Sequence, residues 1–393
     1  MIVGCSAAGV ACAKAARTED PEAQITLIGA EPYPAYHRPR LTHVLGKHQQ
    51  VAGFLLHDES WYRQNRLGLV IGRRVVSGGD GFVIDDTGER YAYDSLVLAT
   101  GGLANVPPIP GVDLDGVFCL RTYSDLEAIE QYAESRQKVV IIGGGLIGLE
   151  AAWALCQWRK QVSVLERGEG LLKNQLDEDG MSVIGNIAVR KGVNIVYKAE
   201  TKSIVGEQSV SGVKLKDGRC IESDLVLLST GVRADLELAK ALDLPTGRGV
   251  LVDERMQVAP GIYAAGDCAE YAGRTAGVWP VAEAQGKVAG TNAAGGAAAY
   301  RALKPLNTTV VMGVTVFSAG DPGRLEQDYR VLKSEDDGEG LRKLYLVKDR
   351  LVGAIVVGVP KNVMKIKALI DAGGLVDQEM LCKPNADAFI EAL

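Results

Sequence analysis

The stretch Val139–Cys156, VVIIGGGLIGLEAAWALC, passes without a break from a β-branched apolar run, through a cluster of glycines, into an apolar helical pattern. Val139–Ile142 reads as a buried parallel strand, and Gly143, Gly145 and Gly148 follow it at the dinucleotide-binding spacing. The first glycine permits a tight turn, the second lets the backbone approach a pyrophosphate, and the third lets the helix pack close to the strand. Val162–Leu165 then reads as the next strand, ending in Glu166. An acid about 20 residues past the turn accepts hydrogen bonds from ribose hydroxyls and repels a 2′-phosphate. This favours NAD(H) over NADP(H), against the pull of the neighbouring Arg167. A membrane span is the competing reading of so apolar a run, but Gly143, Gly144, Gly145, Gly148 and Glu150 argue against it.

A degenerate copy of the pattern stands at the start of the chain. Met1–Val3 reads as a strand, Gly4-Cys5-Ser6-Ala7-Ala8-Gly9 as the turn, and 7–18 as the helix. Ser6 replaces the middle glycine, so its side chain either crowds a phosphate or donates a hydroxyl to it. The strand is short for a central parallel one, which suggests a clipped or late start. Residues 25–28 form the second strand, with Glu31 just past its end, within reach of a ribose.

A polar loop through Tyr36-His37-Arg38-Pro39-Arg40 follows, then short strands around 69–71 and 82–84, and residues 95–98 leading into Thr100-Gly101. Pro107, Pro108 and Pro110 mark a crossover. Beyond the second turn come a helix over 177–191 and a strand over 225–228 before Thr230-Gly231. Residues 262–265 form a buried strand ending at Gly266-Asp267, where Asp267 could cap a helix. An Ala/Gly-rich helix over 280–297 suits close packing, against a flat ligand or against another helix. From Pro305 the pattern changes to alternating strands at 314–317, 329–332, 341–347 and 351–357, with a helix over 362–370. This is a compact α+β module appended to two nucleotide-binding units.

Charge and cysteine content remove several function classes. With 43 basic and 49 acidic side chains, net −6, and no basic block, nucleic acid is not expected as a main partner. Seven cysteines lack any Cys-x-x-Cys, and none lies between Ala13 and Phe118. That pattern predicts neither a metal site nor a local redox dithiol. No export signal is visible, and the expected setting is cytoplasmic.

Two fingerprints, Ala99-Thr100-Gly101, Thr230-Gly231-Val232 and the late Gly266-Asp267 together resemble the two-dinucleotide-binding flavoproteins of the pyridine nucleotide-disulfide oxidoreductase superfamily. Tyr36-x-Arg38-Pro39-x-Leu41 is similar to the signature of its ferredoxin-reductase-like and NADH:rubredoxin-oxidoreductase-like branch. The resemblance implies an α/β fold with two Rossmann-like, three-layer ββα dinucleotide-binding domains plus a C-terminal α+β domain. The FAD-binding domain would span 1–110 and 231–304, the NAD(H)-binding domain 111–230, and the C-terminal interface domain 305–393. FAD falls to Gly4, Ser6, Gly9, Glu31, Arg38, Pro39, Thr100, Gly101 and Asp267, and NAD(H) to Gly143, Gly145, Gly148, Glu166 and Gly231. Arg38 adds charge-assisted bonds to phosphate or is a solvated loop charge.

In the resembling branch the acid at Glu150 lies beside the nicotinamide and pairs with a lysine, for which this chain has His43. Glu150 and His43 are therefore the candidate catalytic residues; His43 either pairs with Glu150 or is exposed. Arg159 and Gly29 depart from the family pattern, which favours a glycine and an acid there.

The implied function is FAD-dependent electron transfer between NAD(H) and a one-electron iron protein such as rubredoxin or ferredoxin, without a redox disulfide. Cofactor chemistry carries such a reaction, with the protein supplying orientation and exclusion of water. Arg38, Arg40, Lys47 and His48, or Lys361, Lys365 and Lys367, could form a basic rim for an acidic carrier, or simply solvated faces. The alternatives are the flavin subunit of a larger iron-sulfur or metalloenzyme complex, an NADH-responsive flavoprotein sensor, and direct reduction of oxygen.

Overall fold

The computed structural model describes residues 1–275, 277–302, 306–323, 325 and 328–393. Its two parallel sheets grow from the two glycine fingerprints. The first has six strands in the order Gln257–Ala259, Ile262–Ala264, Leu96–Leu98, Ile2–Val3, Ile25–Gly29, Leu67–Ile71, with one antiparallel pairing, between the first two. The strand at the chain start is only two residues long but central, with Ile2 opposite both Leu27 and Val97. The second sheet is wholly parallel, in the order Asn194–Val196, Gln161–Leu165, Lys138–Ile142, Leu225–Leu228, Val117–Cys119.

Each sheet is buried on both faces, as its continuous apolar runs dictate. Successive side chains of a strand point to opposite faces. Ile2, Leu27 and Val97 therefore meet helices, whereas Val3, Ile28 and Leu98 meet Val75 and Val83 of a three-stranded antiparallel meander. The second unit repeats this division. Val139, Ile141 and Val164 pack under helices, and Val140, Ile142 and Val226 pack on Ile204 and Val213 of a second meander. This is the three-layer ββα arrangement, present twice. Residues Gly102–Ala104 and Val232–Ala234 pair as an antiparallel ribbon between the units.

The helices that position the site are α1 (Ala7–Glu19), α2 (Leu41–Val44), α3 (Tyr123–Ala133), α4 (Leu146–Gln157), α5 (Glu178–Arg190) and α6 (Trp279–Ala293). Thr122 and Asp125 close a capping box on α3, and Asp177 caps α5. Helix α6 settles the reading of its Ala/Gly-rich sequence: a Cβ at Gly286 would stand 2.2 Å from the Ala8 carbonyl oxygen, and one at Gly290 2.1 Å from that of Cys12. Those glycines let α6 lie backbone to backbone on α1. The helix stops at Ala293, short of residue 297, because the chain turns through Gly295 at φ +93°.

The C-terminal module is a five-stranded antiparallel sheet, ordered Leu306–Val311, Val314–Gly320, Arg350–Gly358, Gly340–Val347, Arg330–Asp336. The first strand was not expected, and the expected boundary at 304/305 lies outside the described residues. One face packs under the C-terminal helices through Phe317, Leu344, Val356, Ile366 and Phe389. The other shares a core with the second unit through Val316, Leu341, Tyr345, Ile355 and Val357. Polar contacts pin the same junction: Lys343 Nζ pairs with Asp177 and, at 2.7 Å, with Asp179, while Tyr345 donates its hydroxyl to Asp177 at 2.6 Å. Among the described residues no helix is long and apolar enough to cross a membrane, and no cluster of side chains suits a metal ion.

Candidate functional site

The two glycine turns follow the same backbone path. Gly4 has φ +118° and Gly143 φ +119°, a region that side chains resist. A Cβ at Gly9 would stand 1.9 Å from the Gly4 carbonyl oxygen, and one at Gly148 2.2 Å from that of Gly143. The outer glycines are thus consumed by strand–helix contact. The middle position is different: a Cβ at Gly145 would meet nothing within 4 Å, so its space lies open above the turn. Ser6 occupies that position in the first copy, in extended backbone. Neither Ser6 nor Gly145 offers a side-chain acceptor to the helix it precedes. The first-turn N–H groups of α1 and α4 are therefore free of side-chain caps, and such helix starts receive a pyrophosphate.

An acid stands beside each turn. Glu166 accepts from Gly144 N–H at 3.0 Å and from Gly168 N–H at 2.6 Å, one oxygen to each. Glu31 accepts from the Tyr36 hydroxyl at 2.6 Å and pairs with Arg38 at 2.5 Å. The expected acid position, Gly29, cannot carry one without a shift, because a Cβ there would lie 2.9 Å from the Cys5 side chain. Arg38 also donates to the Arg121 carbonyl at 2.6 Å, and only 19% of its side chain is exposed. It is an inward-facing residue of this site, not a solvated loop charge. Pro39 forms the middle of the short 3-10 turn Arg38–Arg40.

Asp267 corrects one expectation. It does not cap a helix: the chain leaves Gly266 at φ +85° and continues into the strand Ala269–Tyr271, which pairs with Val250–Val252, and α6 begins only at Trp279. Asp267 instead receives a 2.8 Å bond from Arg121, which also donates to the Gly102 carbonyl at 3.0 Å. Arg121 was not foreseen. Its one trace in the sequence is its place just before the Thr122–Asp125 capping box, whose Asp125 carboxylate accepts from the Arg121 N–H at 2.9 Å. Thr100 donates to the Asp235 carbonyl at 3.0 Å, while Gly101 at φ +75° and Gly231 at φ +100° turn the chain into the connecting ribbon.

Glu150 and His43 do meet. His43 Nε2 lies 3.4 Å from one Glu150 carboxylate oxygen, and Thr42 donates its hydroxyl to the other at 2.5 Å. Thr42, also unforeseen, is buried, and Glu150 is 12% exposed, whereas His43 is 48% exposed. Burial pushes the Glu150 carboxyl above the usual glutamate range, and the Thr42 bond and His43 oppose it. Arg159, the other departure, adopts φ +60° just past α4, the left-handed conformation for which glycine is the common choice.

Burial holds the two thiols that flank the first cradle, Cys5 and Cys268, in the protonated form. All seven cysteines are free. Burial pushes the Cys5 thiol up to about 11, and Cys268 is buried, bonded to the Leu98 and Ala265 carbonyls at 3.4 Å each. The expected basic rims shrink as well. Arg38 turns inward, His48 faces Glu130 at 3.4 Å, Lys367 pairs with Asp371, and Lys365 holds the Leu393 carbonyl at 2.8 Å.

Residues 1–286 match the pyridine nucleotide-disulphide oxidoreductase family. The chain belongs to that family. Residues 305–373 match the rubredoxin NAD+ reductase C-terminal domain. Among similar proteins, a Bacillus subtilis nitrite reductase [NAD(P)H] is 35% identical over 86% of this chain, and the assimilatory nitrate reductase electron transfer subunit of that organism is 31% identical over 87%. The chain spans 42% and 45% of those two proteins, less than half of each. The crystal structure of NADH:rubredoxin oxidoreductase from Clostridium acetobutylicum, 29% identical, aligns over 100% of this chain and 98% of its own with a TM-score of 0.82. Membership in the pyridine nucleotide-disulphide oxidoreductase family implies FAD and NAD(H) as the cofactors, and the geometry of the two cradles is compatible with both.

Proposed function

We propose that this chain is an FAD-dependent reductase that takes hydride from NADH and delivers electrons singly to a small iron protein of the rubredoxin or ferredoxin kind. One observation carries the reading: two glycine turns of matching geometry, each with its acid, stand in one chain whose C-terminal module matches the rubredoxin reductase domain. FAD, when bound, divides a two-electron hydride into single electrons, which a nicotinamide does not do readily.

In this reading Gly4, Ser6 and Gly9 hold the FAD pyrophosphate at the start of α1, Glu31 takes its ribose, and Arg38 and Pro39 flank it. Thr100, Gly101 and the Arg121-oriented Asp267 complete that cradle. Gly143, Gly145 and Gly148 hold the NAD(H) pyrophosphate at the start of α4, Glu166 takes the adenosine ribose, and Gly231 gives the nucleotide room. Glu150, on the same helix as that turn, and His43 handle protons beside the nicotinamide. The absence of a dithiol, with Cys5 and Cys268 held as protonated thiols, favours an outlet through electrons rather than through sulfur.

The deciding experiment is anaerobic. The yellow protein is bleached with NADH, and rubredoxin, ferredoxin, oxygen and a disulfide are then offered in turn. Rapid return of colour with an iron protein is expected; return with the disulfide alone would overturn the reading.

A second reading makes the chain the flavin-bearing part of a larger metalloenzyme. The similarity to two Bacillus proteins of which this chain spans less than half favours it. Copurification with a partner subunit, and no turnover without it, would distinguish this case.

A further inference from the structure

A cavity of about 310 Å³ opens between α2, α4 and the Met312–Gly313 turn of the first C-terminal hairpin. Glu150, Trp153 and Gln157 line it from one face of α4, so it runs about 10 Å along that helix, away from the glycine turn. Both the largely buried carboxylate and the half-exposed imidazole beside it line the cavity.

We propose that Glu150 and His43 form the exit through which the proton left by NADH oxidation reaches this cavity and the solvent. The inference rests on the electron-transfer reading given above and deepens it. Stoichiometry creates the need: NADH yields NAD+, one proton and two electrons, and two one-electron carriers remove both electrons but no proton. The proton that reduced FAD, when bound, loses together with its two electrons would pass to the carboxylate of Glu150, from there to His43 Nε2 across the 3.4 Å contact, and the imidazolium would release it to water. The pair then returns to its starting charge, so the step is catalytic in both residues.

The surroundings suit a conduit. Its volume is many times the roughly 10–15 Å³ one water requires. Thr42 fixes one Glu150 oxygen and leaves the other to His43. Across the cavity the hairpin presents Val310, Met312 and Gly313, none of which titrates, and α4 adds the neutral Gln157. Lys47 is the one permanent cation among the lining residues, and it repels a proton held on His43. Burial, which favours the protonated carboxyl, lets Glu150 accept a proton where an exposed acid would not.

The test uses the FAD-loaded protein, prereduced with NADH and mixed with ferricyanide as a one-electron acceptor in weakly buffered solution containing a pH-indicator dye. In the natural protein, dye and flavin signals should rise together. In Glu150→Gln and His43→Ala the proton signal should lag by tenfold or more, and the pH dependence of flavin reoxidation should flatten. Added imidazole, small enough for the cavity, should restore the rate and pH dependence of flavin reoxidation in His43→Ala in proportion to its free base, read from the flavin signal because imidazole buffers the dye; a merely structural role for His43 would not respond. Proton release that keeps pace with electron departure in both variants, or a His43→Ala deaf to imidazole, would overturn the proposal. Failure of the underlying reading looks different, since flavin would then be absent or would not bleach with NADH before the acceptor is added.

Discussion

Arg121 reaches Asp267 at 2.8 Å, and the carbonyl of the same Arg121 accepts from Arg38 at 2.6 Å. Arg38 in turn grips Glu31. Four residues from three segments of the chain, Glu31 and Arg38 in one loop, Arg121, and Asp267, thus form a continuous polar line across the first cradle. Arg121 sits at its centre, in the segment that begins the second unit, so the cradle is closed by a residue outside its own sheet.

Arg121→Ala should therefore loosen flavin rather than unfold the chain. Charged hydrogen bonds of this partly exposed kind contribute about 1–2 kcal/mol, which corresponds to roughly a tenfold rise in the FAD dissociation constant. Fluorescence of flavin released on dilution measures it. Arg121→Lys should recover little, because a single ammonium cannot serve the Gly102 carbonyl and Asp267 in the fork geometry.

The middle and last glycines of the second turn should separate stability from binding. Gly148→Ala places a methyl 2.2 Å from the Gly143 carbonyl oxygen, so the melting temperature should fall by several degrees. Gly145→Ala meets nothing within 4 Å and should leave melting unchanged. If that space belongs to a pyrophosphate, KM for NADH rises about tenfold or more while flavin content stays constant. Unaltered KM in Gly145→Ala would move the nucleotide elsewhere.

Much of this architecture was legible because it is local. A strand, a turn that needs one glycine at positive φ, Gly143, and a helix leave one backbone path, and Val139–Gly148 encodes all three in ten consecutive residues. The strand Leu225–Leu228 and the helix start at Asp177 agree with their expected positions for the same reason. What escaped notice depends on contacts across the chain. Arg121 and Asp267 are 146 residues apart, Thr42 and Glu150 are 108 apart, and no periodicity links them. The misplaced helix cap at Asp267 has the same origin: Gly-Asp after a buried strand is a common helix start, but pairing of 269–271 with 250–252 draws this chain into a strand.

Nucleotide preference should follow Glu166. Glu166→Arg removes both an acceptor for ribose and the repulsion of a 2′-phosphate, so the ratio of kcat/KM for NADPH over NADH should rise at least tenfold. Because this carboxylate also holds the Gly144 and Gly168 N–H groups, activity with NADH should drop beyond the loss of one ribose contact. An unchanged preference would remove Glu166 from the ribose.

Lys343 tests how the C-terminal module is attached. Its ammonium, largely buried, serves Asp177 at the start of α5 and Asp179 one residue into its first turn. Lys343→Met keeps the apolar stem but takes the ammonium from two carboxylates, leaving Asp177 its Tyr345 bond and Asp179 its Lys333 pair, and should cost about 1–2 kcal/mol. Asp179, held below the usual range chiefly by its hydrogen bond to Lys343, should then titrate closer to an ordinary aspartate. A melting scan of the variant should show a lower first transition; no change would mean that the shared apolar core alone fixes the junction.

Glu150 gives a pH-dependent prediction whose sign follows from burial. Its carboxyl is raised by desolvation, so between the ordinary glutamate value and the raised one the folded protein keeps a proton that the unfolded chain has lost. Stability contributed by that bound proton is complete at low pH and is lost as pH rises through the folded value. Glu150→Gln has no such titration and retains an oxygen for the Thr42 hydroxyl. Its melting temperature should match the natural protein near pH 4 and exceed it increasingly toward pH 7. His43→Ala works in the opposite direction: the charge that opposes the shift is gone, the carboxyl moves higher, and the loss of stability extends to higher pH. Parallel melting curves for all three proteins from pH 4 to 8 would mean that Glu150 ionises in the fold as it does in water, and that its contact with His43 carries no electrostatic weight.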